Sequence, residues 1–391
     1  MVYWVWLSEK IGYGSLKAKA LIDVLGSARE VYDSNADKLS SLGFLTNSEI
    51  SKLKQKSLAK AKNIIEGCRS QNIGIVTFDD ERFPKRLKEI PNPPMCLYYK
   101  GEFFDFDNIP CVCLVGQRKV SEYGKLAAWS LSARLTLGGV TVISGGAKGT
   151  DTAVHNGALD VGGKTVAFLA CGINYPYLKA NEDLRECISK NGCLISEFPP
   201  EAKVSKNNFH TRNRLMSGIT LGTVVVEAPE ISGALITAKY AYEQSRDVFV
   251  ITSKPNDPNY AGNKALLKDG AKPVFDADDI FNEYYGEFGN IINKENAKRV
   301  NLSKLLQNKR QNPVSQATQT EKTKKSKKNI IEGLSKNAKI VYNFINMDIF
   351  TIDDLLGCEL SFDDILVSLT ELELFGYVKA IPGGRYSIII D

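Results

Sequence analysis

Within the run KNNFHTRNRLMSGIT (206–220), the cations Lys206, Arg212 and Arg214 surround an aromatic, Phe209, and an amide, Asn213. That mixture suits a polyanion that carries flat rings. A base stacks on the aromatic face while the cations hold the backbone, and such stacking is worth roughly 1–3 kcal/mol per base. The competing reading has Phe209 packed inward and the arginines paired with Glu197 or Glu227.

Three further loops carry candidate chemistry. In VGQRKVSEYGK (115–125), Gly116 lets the chain turn and Arg118 sits beside the start of a helix. A guanidinium next to helix-opening amides is a phosphate site, or else a plain surface charge. In SGGAKGTDTAVHNGAL (144–159), the amides of Ser144, Gly145, Gly146 and Gly149 can close on an anion, and Lys148 adds charge. The loop lacks the G-x-G-x-x-G form, and no acid follows at the ribose-binding distance, which argues against a nicotinamide enzyme. In VVVEAPEISGALITAKYA (224–241), Glu227 ends a strand and Ser232-Gly233 opens a helix carrying Thr237. This loop either cradles a phosphate or ribose, or uses Glu227 to orient Arg212 or Arg214. GALDVGGKT (157–165) resembles a Walker A loop, but its spacing is off by one residue and it leads into a strand.

Catalytic constellations are scarce. The two histidines are His155 and His210, and His155 lies one helical turn after Asp151. An Asp–His pair at that spacing is a general-base candidate or a structural hydrogen bond. No G-x-S-x-G, H-E-x-x-H or metal-spaced cluster accompanies it. The chain therefore reads as a binder and not an enzyme, with no cofactor and no metal.

These loops need a scaffold, and the texture of the chain supplies four segments. Residues 1–70 show apolar residues at three- and four-residue spacing between glycine turns, which predicts a small helical domain of the SAM or helix-hairpin-helix sort, or a cap without a binding role. Residues 71–290 alternate β-rich runs with helical ones. The predicted strands are Ile73–Phe78, Cys111–Val115, Val140–Ile143, Thr165–Ala170, Gly192–Ile195, Thr223–Glu227 and Val248–Ile251. Near-continuous Val/Ile/Leu strands with crossover helices mean an α/β fold with a Rossmann-like parallel sheet covered on both faces. Residues 291–329 are lysine-rich and poor in apolar groups, which predicts a flexible basic linker. Residues 330–391 read as three helices and two β-runs joined by Pro-Gly-Gly, a C-terminal winged helix. Its third helix carries Asp363, Asp364, Glu371 and Glu373 and no cation, so it is expected to be a protein-contact module, or a degenerate one, and not a reader of duplex DNA.

Composition sets outer bounds. The chain has 391 residues, 43% hydrophobic and 24% charged, with a formal net charge of +5. That length supports two to four domains, and the mild cationic excess permits a polyanionic partner without demanding one. No apolar run approaches a membrane span or a signal peptide, so no membrane partner is expected. Cysteines 68, 96, 111, 113, 171, 187, 193 and 358 include no CxxC pair. Buried thiols in a reducing cytoplasm fit better than disulfides or zinc.

Together the loops resemble the DNA-processing protein A (DprA/Smf) family. The matching runs are FPKRLKEIPNPPMCLYYKG, VGQRKVSEYG, SGGAKGTDTAVHNGAL, GKTVAFLACGINYPYLKANEDL, SEFPP, FHTRNRLMSGIT, VVVEAPEISGALITAKYA and GNKALLKDGA, in order over roughly 83–275. The resemblance implies a cytoplasmic homodimer that binds single-stranded DNA, protects incoming DNA and loads a RecA-type recombinase during natural transformation. It implies a pocket of Arg118, Lys148, Lys179, Lys206, Phe209, Arg212, Asn213 and Arg214, with Ser144, Gly145 and Ser196 as backbone or hydroxyl donors. Three departures stand out: Gly116-Gln117-Arg118 for the family's GSR, His210 for a proline, and Thr252-Ser253-Lys254 for VPG. Leu266 and Leu267 lie near where the family dimerises, although core leucines would look the same. The alternative is a nucleotide-hydrolysing or nucleotide-sensing Rossmann-like protein. Such proteins resemble one another in a PGGxGTxxE loop, whose place SGALITA takes here. A third possibility is a scaffold whose acidic winged helix recruits a partner.

Overall fold

Six short helices open the chain: α1 (Val2–Ile11), α2 (Leu16–Leu25), α3 (Ala28–Asp33), α4 (Ala36–Ser41), α5 (Asn47–Leu53) and α6 (Ala59–Ser70). Their starts are written locally. Ser15, Ser27 and Asn35 each accept a backbone N–H of the first turn, and Thr46 with Glu49 forms a capping box. The computed structural model describes residues 1–253, 256–299 and, within 334–388, all but 346–348, 356, 357, 359, 375, 376 and 382–384.

The helices do not own a separate core. Trp4, Val5, Leu21, Val31 and Leu53 pack in one cluster with Ile75, Met95, Tyr98, Leu169 and Leu194 of the segment that follows. That segment forms a sheet of nine strands: β1 (Gly74–Thr77), β2 (Cys96–Gly101), β3 (Cys111–Val115), β4 (Thr141–Ser144), β5 (Thr165–Phe168), β6 (Gly192–Ser196), β7 (Gly222–Val225), β8 (Asp247–Ile251) and β9 (Lys272–Val274). Their order is β1-β2-β6-β5-β4-β3-β7-β8-β9. Strands β3 to β9 pair in parallel, whereas β2 runs antiparallel to both β1 and β6. The sheet is therefore largely, not wholly, parallel. The expectation from sequence also omitted β2 and β9.

The accompanying helices are α7 (Lys85–Glu89), α8 (Glu122–Leu137), α9 (Thr150–Asp160), α10 (Glu182–Lys190), α11 (Lys206–Ile219), α12 (Gly233–Glu243), α13 (Ala261–Lys268), α14 (Ala277–Phe288) and α15 (Lys294–Arg299). Leu131, Val154 and Phe281, from α8, α9 and α14, bury one face of the sheet. Leu215, Ala238 and Leu266, from α11, α12 and α13, bury the other. Leu266 is thus a core residue, and Leu267 packs half-buried beside it. The first residues of the segment expected as a basic linker are packed: Ile292 and Ala297 are buried in the core, and Lys298 pairs with Asp278 at 3.0 Å. Residues 300–333, where most of that linker falls, lie outside the described residues.

Of the eight cysteines, seven are buried and Cys187 is partly exposed. Burial pushes the Cys96 and Cys111 thiols up to about 12, which leaves them poor nucleophiles. No helix among the described residues is long and apolar enough to cross a membrane.

The described residues from 334 to 388 belong to a second compact unit. It contains α16 (Lys336–Phe344), β10 (Ile349–Thr351), a single 3₁₀ turn at Asp353–Leu355, α17 (Phe362–Leu374), β11 (Val378–Ile381) and β12 (Arg385–Ile388). The strands pair antiparallel in the order β10-β12-β11 over Val341, Leu355, Ile365 and Leu369. Of TIDDLL, expected as a helix, Thr351 finishes β10 and Asp353–Leu355 make the 3₁₀ turn. The Pro-Gly-Gly join lies outside the described residues.

Candidate nucleic-acid interface

Strand order reverses between β3 and β7: β4, β5 and β6 extend the sheet one way from β3, and β8 and β9 extend it the other way from β7. In open α/β sheets the carboxyl ends of strands at such a reversal diverge and leave a crevice, the usual ligand site. Here the crevice is a cavity of about 420 Å³. Val115 to Lys119 line it from the β3 loop, and Pro229, Ile231 to Ala234 and Thr237 from the β7 loop and α12. Phe209, Arg212, Asn213 and Met216 of α11 close it, with Ala147 and Asp151.

The β3 loop is held from beneath. Glu227, fully buried, accepts the Ser121 backbone N–H at 2.9 Å as well as the Gln117 side-chain amide and the Ser121 hydroxyl. Thr150 Oγ1 donates to the Gln117 carbonyl at 3.1 Å from the opposite side. The Gln117 substitution thereby acquires a role, since its longer amide reaches the buried carboxylate. Glu227 orients this loop and not Arg212 or Arg214, which corrects that alternative.

Arg118 leaves the loop exposed, with its guanidinium carbon 4.7 Å from the centre of the Phe209 ring. Tyr177 meets the same ring edge-on at 5.9 Å. Phe209 is half-buried between them, so the inward-packing alternative describes only one edge of the ring. A cation over an aromatic face is a stack that can accept another flat π-system.

Arg212 lies below this stack and is 5% exposed. It donates to the carbonyls of Gly145, at 2.7 Å, and Phe168, the ends of β4 and β5, and to Asn213 Oδ1 at 3.0 Å. A Cβ at position 145 would collide with this guanidinium, so only glycine admits it. Burial pulls the Arg212 pKa down, and the neighbouring Asp151 charge pulls it back up. Asp151 in turn accepts the Ala147 N–H at 3.2 Å, while burial raises its pKa. The glycine loop that was expected to close on a ligand anion closes in part on this internal carboxylate.

Arg214 points elsewhere. It is 1% exposed and ion-paired to Glu197, itself 4% exposed. Glu197 also accepts the Gly14 N–H at 3.1 Å, and Asn92 holds the Gly14 carbonyl at 3.0 Å. Burial pushes the Glu197 carboxyl up, against the pull of Arg214 and the Gly14 amide. Gly14 has φ +73°, and a Cβ there would press on Thr211 of α11. This corrects Arg214 as a pocket residue: it ties α11 to the N-terminal helices.

Ser144 and Ser196 give their hydroxyls to the fold. Both are fully buried, and their hydroxyls donate to the Leu114 and Cys171 carbonyls at 2.8 Å. Of the eleven expected residues, Arg118, Phe209, Arg212 and Asn213 line the cavity. Lys148, Lys179 and Lys206 are exposed on loop, one-turn helix and first turn of α11, outside the lining. His210 is exposed, and Lys254 lies outside the described residues. Lys119, Tyr177 and Ile231 were missed, and Asp151, singled out only as a partner of His155, lines the cavity. Lys119 was available as the neighbour of Arg118, and Tyr177 as an aromatic in YPYLKAN. The Asp–His pair is not a dyad: His155 is fully buried against Thr165 Oγ1 at 2.9 Å, and burial lowers its pKa to about 3.

Comparison with known proteins accords with this geometry. A model of the DNA recombination-mediator protein A family matches residues 74–285. Protein Smf of Synechocystis is 29% identical over 98% of both chains. DNA processing protein DprA of Streptococcus pneumoniae is 37% identical over 52% of this chain and 72% of its own. The X-ray structure of Streptococcus pneumoniae DNA processing protein A superposes with a TM-score of 0.63 at 30% identity, covering 72% of this chain and 98% of that one.

Proposed function

The chain belongs to the DNA recombination-mediator protein A family, and on that premise we propose that it binds single-stranded DNA at the β3/β7 crevice. It acts by holding the strand and not by turnover. It protects incoming DNA and, as a cytoplasmic homodimer, hands that DNA to a RecA-type recombinase during natural transformation. The observation that carries the reading is the Arg118–Phe209 stack on the wall of a cavity floored by Arg212. An exposed π-stack beside fixed cations suits unpaired bases, whose faces are free, better than a duplex, whose faces are covered. Lys148, Lys179 and Lys206 supply backbone attraction from outside the cavity. The burial of His155 supports binding over catalysis, because a neutral imidazole facing the core reaches no substrate. Residues 330–391 are proposed as a winged helix that contacts protein, given the acidic side chains of α17.

Fluorescence anisotropy of a labelled oligo-dT, titrated at several salt concentrations, tests this directly. Wild type should bind with a log–log salt slope of about −0.7 per phosphate neutralised. Arg118→Ala and Phe209→Ala should weaken binding while remaining folded. No binding by folded wild type would overturn the reading, as would unchanged binding by both variants. Turnover of a mononucleotide would favour the enzyme alternative.

A further inference from the structure

The cavity has one large apolar side chain with no role in the fold. Val115 and Met216, which also line it, are buried, and Phe209 is half-buried. Ile231 is 94% exposed at the lip formed by the β7 loop. An isoleucine so open to water adds nothing to the stability of the free protein.

Its loop is nevertheless rigidly rooted. Asn263, 2% exposed, donates to the carbonyls of Val225, Val226 and Ile251 at 3.0, 3.1 and 3.0 Å, and accepts the Ala228 N–H at 2.9 Å. The Gly262 N–H holds the Ala228 carbonyl at 2.9 Å, and Ser232 caps α12 through the Ala234 N–H at 3.3 Å. Ile231 stands between those two anchors. A β-branched side chain on a fixed loop has little freedom left to lose when a ligand covers it.

We infer that Ile231 is a base-contact residue: it covers the second face of a nucleobase whose first face lies on the Arg118–Phe209 stack. This rests on the single-stranded DNA reading above. A base has two apolar faces; the Arg118–Phe209 stack takes one, and the remaining cations of the site serve neither. With one face on the stack, the other stays in water unless an apolar group of the same cavity meets it. Ile231 is the exposed large apolar group among the described lining residues. The contact recognises ring surface and not base identity, because an aliphatic side chain offers no hydrogen bond.

The test compares wild type, Ile231→Ser and Ile231→Leu in binding oligo-dT and an abasic strand of equal length. Half-covering one isoleucine predicts that Ile231→Ser loses roughly five-fold in affinity for oligo-dT. Ile231→Leu should restore most of it, and the abasic strand should bind all three proteins within about two-fold, with an unchanged salt slope. Ile231→Ser binding oligo-dT as tightly as wild type overturns the inference and leaves the DNA reading standing. An equal loss on both strands also overturns it, since the residue then acts on the backbone. If wild type binds neither strand, both readings fall.

Discussion

Arg212 and Arg214 stand two residues apart on α11, hence about 200° apart around the helix axis. Both are buried guanidinium groups, yet their surroundings differ in kind. Arg212 meets neutral carbonyls at the ends of β4 and β5 and lines the cavity. Arg214 meets a carboxylate that also holds the Gly14 turn. One side of the helix faces a site, and the other locks the helix in place. A cation-rich motif on one helix is therefore not one function, because the period of the helix divides its residues between ligand and scaffold.

The largest expected effect falls on the locking side. Glu197→Ala leaves a buried guanidinium without a counter-charge and should cost about 3–5 kcal/mol of stability, read as a lower urea midpoint. Replacing both partners, Glu197→Leu with Arg214→Met, should recover much of that loss. If Glu197→Ala costs under about 1 kcal/mol, the two sides of α11 are not distinct. Phe209→Ala is the complementary probe. It should remove about 1–3 kcal/mol from oligonucleotide binding and leave unfolding within about 0.5 kcal/mol of wild type.

A pH measurement sharpens the buried side. His155 is held neutral by burial first and by the Arg212 charge second, with its pKa lowered from 6.5 to about 3. Between those values the unfolded chain binds the proton and the folded chain does not. Stability is therefore whole above about pH 6.5 and falls as pH drops toward 3, by about 1.4 kcal/mol per pH unit from this group. His155→Gln should flatten that limb by about one proton, measured by denaturant titration from pH 7 to 4. Identical slopes would mean that His155 is protonated in the fold. The smallest effect is expected for Arg118→Lys, which keeps the charge and loses the planar stack. About 0.5–1 kcal/mol of affinity should go, with the salt dependence retained.

Much of this was legible in sequence, for physical reasons. Strands β3 to β8 are short, nearly unbroken apolar runs, the mark of a doubly covered parallel sheet. β2 was missed because CLYYKG follows a proline cluster and ends in charge, and β9 because it is three residues with a central proline. Arg118 and Phe209 were identifiable by residue type, since aromatic and cation together suit bases. Glu197 was one of the two acids offered to the arginines, and it is the partner of Arg214; the partners of Glu227 and the Glu197–Gly14 contact were not legible. Glu227 meets Ser121 across 106 residues and Glu197 meets Gly14 across 183, and no local pattern encodes such pairings. The inward turn of the Ser144 and Ser196 hydroxyls was not legible, because a hydroxyl at a strand end can donate to the neighbouring strand as readily as to a ligand.

The place of β2 also bears on how the chain is made. Its outer partner β1 precedes it directly, but its inner partner β6 emerges about ninety residues later, roughly 5–20 s of synthesis. If the β1–β2 pair forms in that interval, the side of β2 that later meets β6 stays open, in addition to the outer edge of β1. Such an edge pairs with whatever strand arrives. Translation speed over residues 102–191 thus sets how long each new molecule is exposed to its neighbours before its own β6 closes the gap.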